Sequence, residues 1–174
     1  MTPAQTNIAI RLRVSTDDAA IAAVVTAAFG GPDEAALITQ LRTDGDMVAE
    51  FVALDARAVI GHIAFSRLNV QTGSEALRAV ALAPVAVAPD RQRQGIGGAL
   101  IRHAHTCLRD EGEDLVVVLG HPAYYPQFGF SSLLAKLLDA PYSGEAFMAV
   151  ELKPGVLDAL KWRVAYPRAF AGAH

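Results

Sequence analysis

VAVAPDRQRQGIGGAL, residues 85–100, is the stretch whose reading decides the fold. Val85 and Val87 alternate with the small Ala86 and Ala88, the two-residue period of a strand. Pro89 and Asp90 end that strand, because proline has no N–H for a ladder and aspartate favours turns. Gln92-Arg93-Gln94-Gly95-Ile96-Gly97-Gly98 follows as a polar, glycine-bearing loop, and Ala99, Leu100 and Ile101 continue as helix. Glycines that open a helix expose backbone N–H groups beside the positive end of its dipole. The missing side chains let a ligand approach that backbone closely. The stretch therefore reads as a phosphate cradle, although glycines in this place also serve helix packing or a nucleotide fold. No Gly-Lys-Ser/Thr follows, which excludes a P-loop. The preceding strand is roughly the fourth and no run of βαβ units comes after it, which disfavours a Rossmann fold.

Working outward, the helix runs to about Arg109, with Ile96, Leu100, Ala104, Cys107 and Leu108 near one face. Leu115–Leu119 is an apolar run typical of a strand buried on both faces. Strand, helix and strand at this spacing make a βαβ unit, which predicts Val85–Val87 and Val116–Leu119 as parallel neighbours. Upstream, Pro84 interrupts the long strand Ala76–Val87, and the pattern resumes on both sides. That predicts a bulge or splay near Ala83–Val85. Met47–Leu54 and Ala58–Val70 read as strands joined by a hairpin at Asp55-Ala56-Arg57. Ile8, Ile10, Leu12 and Val14 form a first strand with one buried face. Ser15-Thr16-Asp17-Asp18 supplies capping side chains to a helix carrying Ile21, Val24, Val25 and Ala28. Gly30-Gly31-Pro32 ends it, and Asp33-Glu34 begins a second helix with Leu37, Ile38 and Leu41. Phe147–Leu152 is a further strand, and the tail after Lys153-Pro154-Gly155 fits no single element. The whole reads as one α/β domain with a mixed sheet.

Composition narrows the class. A chain of 174 residues, 52% hydrophobic and 19% charged, suits one compact domain and not a disordered segment. A net charge of −3 gives no support for nucleic-acid binding. The single cysteine, Cys107, cannot form an internal disulfide and fits a reducing cytoplasm. Its place between Ala104 and Leu108 suits a core thiol better than a nucleophile. MTPAQTNIAIRLR lacks a basic head followed by an apolar stretch, so no signal peptide is read. No apolar run reaches the ~20 residues of a membrane span, and a cytoplasmic protein is expected.

Two features then coincide: the glycine loop behind a strand, and Tyr125-Pro126-Gln127-Phe128-Gly129-Phe130 behind the second parallel strand. Together they resemble the GNAT superfamily, the Gcn5-related N-acetyltransferases. Gln92-Arg93-Gln94-Gly95-Ile96-Gly97 is similar to that family's loop pattern, and Val85–Pro89 to its approach strand. LGHPAYYPQFGF, residues 119–130, looks like the YhbS-type branch. The resemblance implies a mixed, mostly antiparallel twisted sheet flanked by helices, with a central parallel pair splayed at a β-bulge. It spans residues 1–174 as one N-acetyltransferase domain.

It also implies acetyl-CoA as the acyl donor, with no metal. The pyrophosphate would lie on backbone N–H groups of Arg93, Gln94, Gly95, Ile96, Gly97 and Gly98. The Arg93 side chain either adds charge there or is solvated. The pantetheine arm would pair with Val85, Ala86 and Val87 as an added strand does. An N–H near Val85 would meet charge developing on the thioester oxygen. Tyr125, at the position of the family's tyrosine, would protonate the departing thiolate, a phenol of pKa ~10 being protonated at neutral pH. Tyr124 would serve packing or line the substrate pocket. Many relatives carry a glutamate before the bulge, but LRAVALAP, residues 77–84, has no acid. The general base thus stays open among His121, His62, Glu34 and water. The asparagine usual after the second parallel strand is absent as well. The acceptor pocket would be built from the Phe29–Leu41 region and residues near Tyr142–Glu151. The expected acceptor is a small-molecule amine, with a protein amine and a non-catalytic acyl-CoA sensor as alternatives. A homodimer is compatible with the reading.

Overall fold

The computed structural model describes residues 7–158 and 161–172. Strand β1 (Ile8–Leu12) leads through a 3-10 turn at Ser15–Asp17 into helices α1 (Asp18–Phe29) and α2 (Asp33–Asp44). Strands β2 (Met47–Asp55), β3 (Ala58–Thr72) and β4 (Glu75–Val87) form a meander. Helix α3 (Ile96–Asp110) crosses to β5 (Leu115–Leu119). The rest comprises a 3-10 turn at Tyr125–Phe128, α4 (Ser132–Ala135), β6 (Leu138–Asp139), β7 (Phe147–Glu151), β8 (Trp162–Ala165) and a 3-10 turn at Arg168–Gly172. The sheet runs β1-β2-β3-β4-β5-β7, and β8 joins it beside β3. Along this path the pairs are antiparallel except β4 with β5. The mixed α/β architecture with one central parallel pair agrees with the sequence.

The break in the middle of β4 falls where Pro84 predicts it. Ile63 pairs with Val85 and Phe65 with Leu82, so Ala83 and Pro84 stand opposite Ala64 alone. An extra residue on one strand is a β-bulge, and the strand bends there. Its consequence corrects the expected pairing. The parallel ladder joins Ala79–Leu82 to Leu115–Val118, and Val85–Val87 lie beyond it. After Leu82 and Val118 the two strands part, while Val85, Ala86 and Val87 keep ladder partners on β3.

Alternation along β4 and β5 sorts their side chains onto two faces. Val80, Leu82, Val116 and Val118 face α3 and bury Leu100, Ile101, Ala104 and Leu108. Gly61 on β3 makes that approach close: a Cβ there would lie 3.1 Å from Leu100 and 3.2 Å from Ile96. On the opposite face α1 and α2 pack Ile21, Val25 and Ile38 over Val52, Leu54 and Ala86. Further along that face Ala79, Ala81 and Val117 meet Trp162 and Val164 of β8. Both faces are therefore covered, and the gap between β4 and β5 opens between two layers.

Several local expectations need correction. Leu12 and Val14 are 60% and 49% exposed, because β1 is an edge strand whose buried alternation stops at Ile10. The acids before α1 do not cap it with their side chains. Asp17 instead accepts the Val14 N–H at 2.9 Å and both ends of the Arg11 guanidinium at 2.7 and 3.0 Å. Asp18 takes Arg13 the same way, at 2.6 Å for each bond. Arg11 near the end of β1 and Arg13 just beyond it take up these carboxylates instead. Cys107 is partly buried against the α3-side core. The tail holds an unexpected strand, β8, anchored by the fully buried Trp162. After Phe130 the chain makes only an isolated bridge, Ser131 to Ala149, before α4.

Candidate active site

Helix α3 starts at the glycine loop. Gly95 is its N-cap with φ 80°, a left-handed backbone that suits glycine, and Arg93 just before it has φ 64°. The first bond of the helix is Ala99 N–H to the Gly95 carbonyl at 3.0 Å. The N–H groups of Ile96, Gly97 and Gly98 precede it and belong to the helix turn that has no internal partners. Gln92 turns back and donates its side-chain amide to the Val87 carbonyl at 3.0 Å, tying the loop to the end of β4. Arg91 is held by Asp55 at 2.6 Å, whereas the exposed Arg93 makes no ion pair among the described residues. Loop, helix terminus and the free stretch of β4 are thus continuous.

Tyr124 and Tyr125 stand across the gap, after β5. Their N–H groups both reach the His121 carbonyl, at 3.1 and 3.3 Å. The ring of Tyr125 fits over Gly120, where any Cβ would overlap it, and stacks edge-on against Tyr124 and Phe130 at 5.1 and 5.5 Å. Only 7% of Tyr125 is exposed. Burial, with Tyr124 alongside, pushes its phenol up to about 12. Tyr124 packs on Phe128 as expected, and its hydroxyl turns toward the glycine loop. A Cβ on Gly97 would sit 3.1 Å from that oxygen. Burial raises the Tyr124 phenol, against a smaller lowering by Arg102. Arg102 lies over the Phe128 ring at 4.9 Å, one helical turn beyond Gly98. Its spacing from the glycines, four residues on, is the only trace of this in the sequence.

On the opposite face the parting strands floor a cavity of about 500 Å³. Ala81, Leu82 and Ala83 of β4 and Val117 and Leu119 of β5 form its base. Asp33, Glu34, Leu37 and Gln40 of α2 form one wall, and Tyr142, Tyr166 and Phe170 form another. The α2 and Tyr142 contributions lie in the regions named from sequence. Tyr166 and Phe170 come from the tail that sequence left without an element.

The three base candidates separate cleanly. His62 is fully buried, and its Nε2 lies 2.9 Å from Glu50 Oε1, deep under α1. Glu50 also accepts Arg42 through both carboxylate oxygens at 2.9 and 2.7 Å. Burial pushes the Glu50 carboxyl up, but the bonds from His62 and Arg42 outweigh it and bring it down to about 2. This group holds β2, β3 and α2 together and does not line the cavity. The His121 side chain is exposed, and its backbone carbonyl holds the tyrosine turn. Glu34 alone of the three lines the cavity. Among the described residues no cluster of histidine, cysteine, aspartate and glutamate has the arrangement to hold a metal, and no helix is long and apolar enough to cross a membrane.

Comparison with known proteins agrees with this geometry. Residues 9–133 match the family described as acetyltransferase (GNAT) domain. The chain is 34% identical over 164 residues to the N-acetyltransferase YhbS of Escherichia coli K12, covering 92% of this chain and 97% of YhbS. The crystal structure of E. coli YhbS in complex with CoA superposes with a TM-score of 0.88 at 32% identity, covering 96% and 93% of the two chains. A GNAT family acetyltransferase from Brucella melitensis in complex with acetyl-CoA gives 0.78 at 32% identity, covering 95% and 99%. The chain belongs to the GNAT acetyltransferase family.

Proposed function

We propose that this protein transfers the acetyl group of acetyl-CoA directly to the nitrogen of a small-molecule amine. The observation that carries this is the opening of β4 from β5 after Leu82 and Val118. It borders the glycine-started helix and the tyrosine pair on one face and the cavity under α2 on the other. The donor supplies an acyl carbon activated as a thioester. Unpaired N–H groups of Ile96, Gly97 and Gly98 suit its diphosphate, and Arg93 and Arg102 add positive charge nearby. The edge of Val85–Val87 left open by β5 suits the amide-bearing arm, since buried backbone groups need partners. The relatives in complex with CoA and acetyl-CoA support this choice of donor.

The balance of the reaction assigns the remaining work. The acceptor nitrogen must lose a proton, form the C–N bond and displace the sulfur of CoA. Glu34 or water in the cavity takes the proton from the acceptor side. Tyr125 returns one at the sulfur. A phenol at about 12 stays protonated at every working pH. It is a weak donor, but a thiolate forming beside it, away from water, is raised too, which narrows the gap.

The test is release of free CoA thiol from acetyl-CoA in the presence of amines, with equilibrium binding of acetyl-CoA measured beside it. Tyr125→Phe should lower kcat roughly 10²-fold, the usual scale of general acid catalysis, with acetyl-CoA affinity unchanged. Full turnover in that variant removes Tyr125 from the chemistry. Tight acetyl-CoA binding without amine-dependent release would make the protein a sensor instead.

A further inference from the structure

We infer that the acceptor is a compact organic cation, a primary ammonium on an apolar or aromatic body, and that Tyr166, Phe170 and Glu34 select it. The inference rests on the acetyl-transfer reading and identifies the substrate class of that site. Its first support is the chain tail. Strand β8 pairs with β3 through Asn69–Gln71, and Trp162 locks it into the core. That fixes where the following residues go. Tyr166 and Phe170 come to the cavity, and the 3-10 turn Arg168–Gly172 packs against α2. Tyr142, Tyr166 and Phe170 stack edge to face in series, with centroids 5.1 and 5.4 Å apart. Edge-to-face stacking leaves ring faces turned in different directions, which suits a rigid apolar or cationic guest. Burial, with Tyr142 beside it, raises the Tyr166 phenol, so that hydroxyl stays protonated.

The second support is charge. Among the lining residues Asp33 and Glu34 are the charged ones, and both are acidic. Neither makes an ion pair among the described residues, whereas Asp17, Asp18, Glu50, Asp55 and Glu113 all do. Their place in the first turn of α2 favours the helix, but it leaves their negative charge facing the cavity with no cation among the described lining residues. A carboxylate-bearing amine would be repelled there. An ammonium is attracted; it gives one proton to bulk water to become the neutral nucleophile, and the second, shed as the C–N bond forms, goes to Glu34 or water while Tyr125 returns one at the sulfur. Size is the third support. A cavity of about 500 Å³, walled by α2 and the tail that meets it, fits a small molecule.

The experiment measures CoA release from acetyl-CoA by the full chain with 2-phenylethylamine, hexylamine, glutamate and an unblocked alanine hexapeptide. The two cationic apolar amines should be turned over with kcat/KM at least roughly tenfold above the other two, the scale of one cation–π or carboxylate contact. Phe170→Ala and Glu34→Gln should each raise KM for 2-phenylethylamine about tenfold and leave KM for acetyl-CoA unchanged. Glu34 is half-buried and makes no ion pair among the described residues, so Glu34→Gln tests the idea even where Phe170→Ala destabilises the tail. Glutamate or the hexapeptide matching or exceeding the cationic amines overturns this inference and leaves acetyl transfer standing. Unchanged KM for the amine in both variants also overturns it. Absence of release with every amine, while acetyl-CoA still binds, overturns acetyl transfer together with it.

Discussion

Glu50 offers a quantitative test of how the sheet is tied to the helices that wall the site. It is 5% exposed and accepts hydrogen bonds from Arg42 and His62, on α2 and β3 respectively. Its carboxyl is lowered from 4.5 to about 2 in the fold. The unfolded chain restores the ordinary value, so between these two pH values the unfolded state binds the extra proton and folding weakens as pH falls. At about 1.36 kcal/mol per factor of ten in proton affinity, the carboxylate contributes about 3 kcal/mol at neutral pH. That contribution is complete above about pH 5, and roughly 2 kcal/mol of it is gone by pH 3. Asp17, Asp18 and Glu113 are lowered as well and also cost stability as pH falls, so the wild-type curve alone does not isolate Glu50. The comparison with Glu50→Gln does. Urea unfolding of both proteins at steps from pH 7 to pH 3 should show a gap that narrows by about 2 kcal/mol on the acid side. A gap that stays constant over that range would refute the assignment of Glu50 as an ionised, buried link.

Two substitutions test the site's backbone. Gly120→Ala places a methyl group inside the Tyr125 ring, so the ring must move. It should cost about 1–3 kcal/mol in urea unfolding, as overpacking does, and lower kcat toward the Tyr125→Phe level; wild-type turnover would show that Tyr125 acts from another position. Gly95→Ala forces an alanine to φ 80° at the start of α3. It should cost roughly 1–2 kcal/mol and raise KM for acetyl-CoA more than KM for the amine; an effect confined to the amine would move the donor site away from the loop.

What could be read in the sequence follows how local each cause is. The bulge at Ala83–Pro84, the glycine-started helix and the Asp55–Ala58 hairpin are written in a few adjacent residues, because proline, glycine and short turns act on their own backbone. Register is not local. Val85–Val87 and Val116–Leu119 are equally good strands, and only the bulge against β3 decides that β5 pairs with the four residues before it. The same holds for the base. His62 carries the right chemistry and is removed from the site by one contact, Glu50, twelve residues away on the neighbouring strand. The cavity under α2 is the extreme case. Its aromatic wall depends on Trp162 burying itself beside β3, a choice among many apolar surfaces that no spacing in the tail encodes. The glycine-loop side of this fold is specified by backbone chemistry and survives as a motif. The cavity is specified by long-range packing of α2 against the tail, so under the proposed reading related chains with the same glycine loop are free to differ there in the amine they accept.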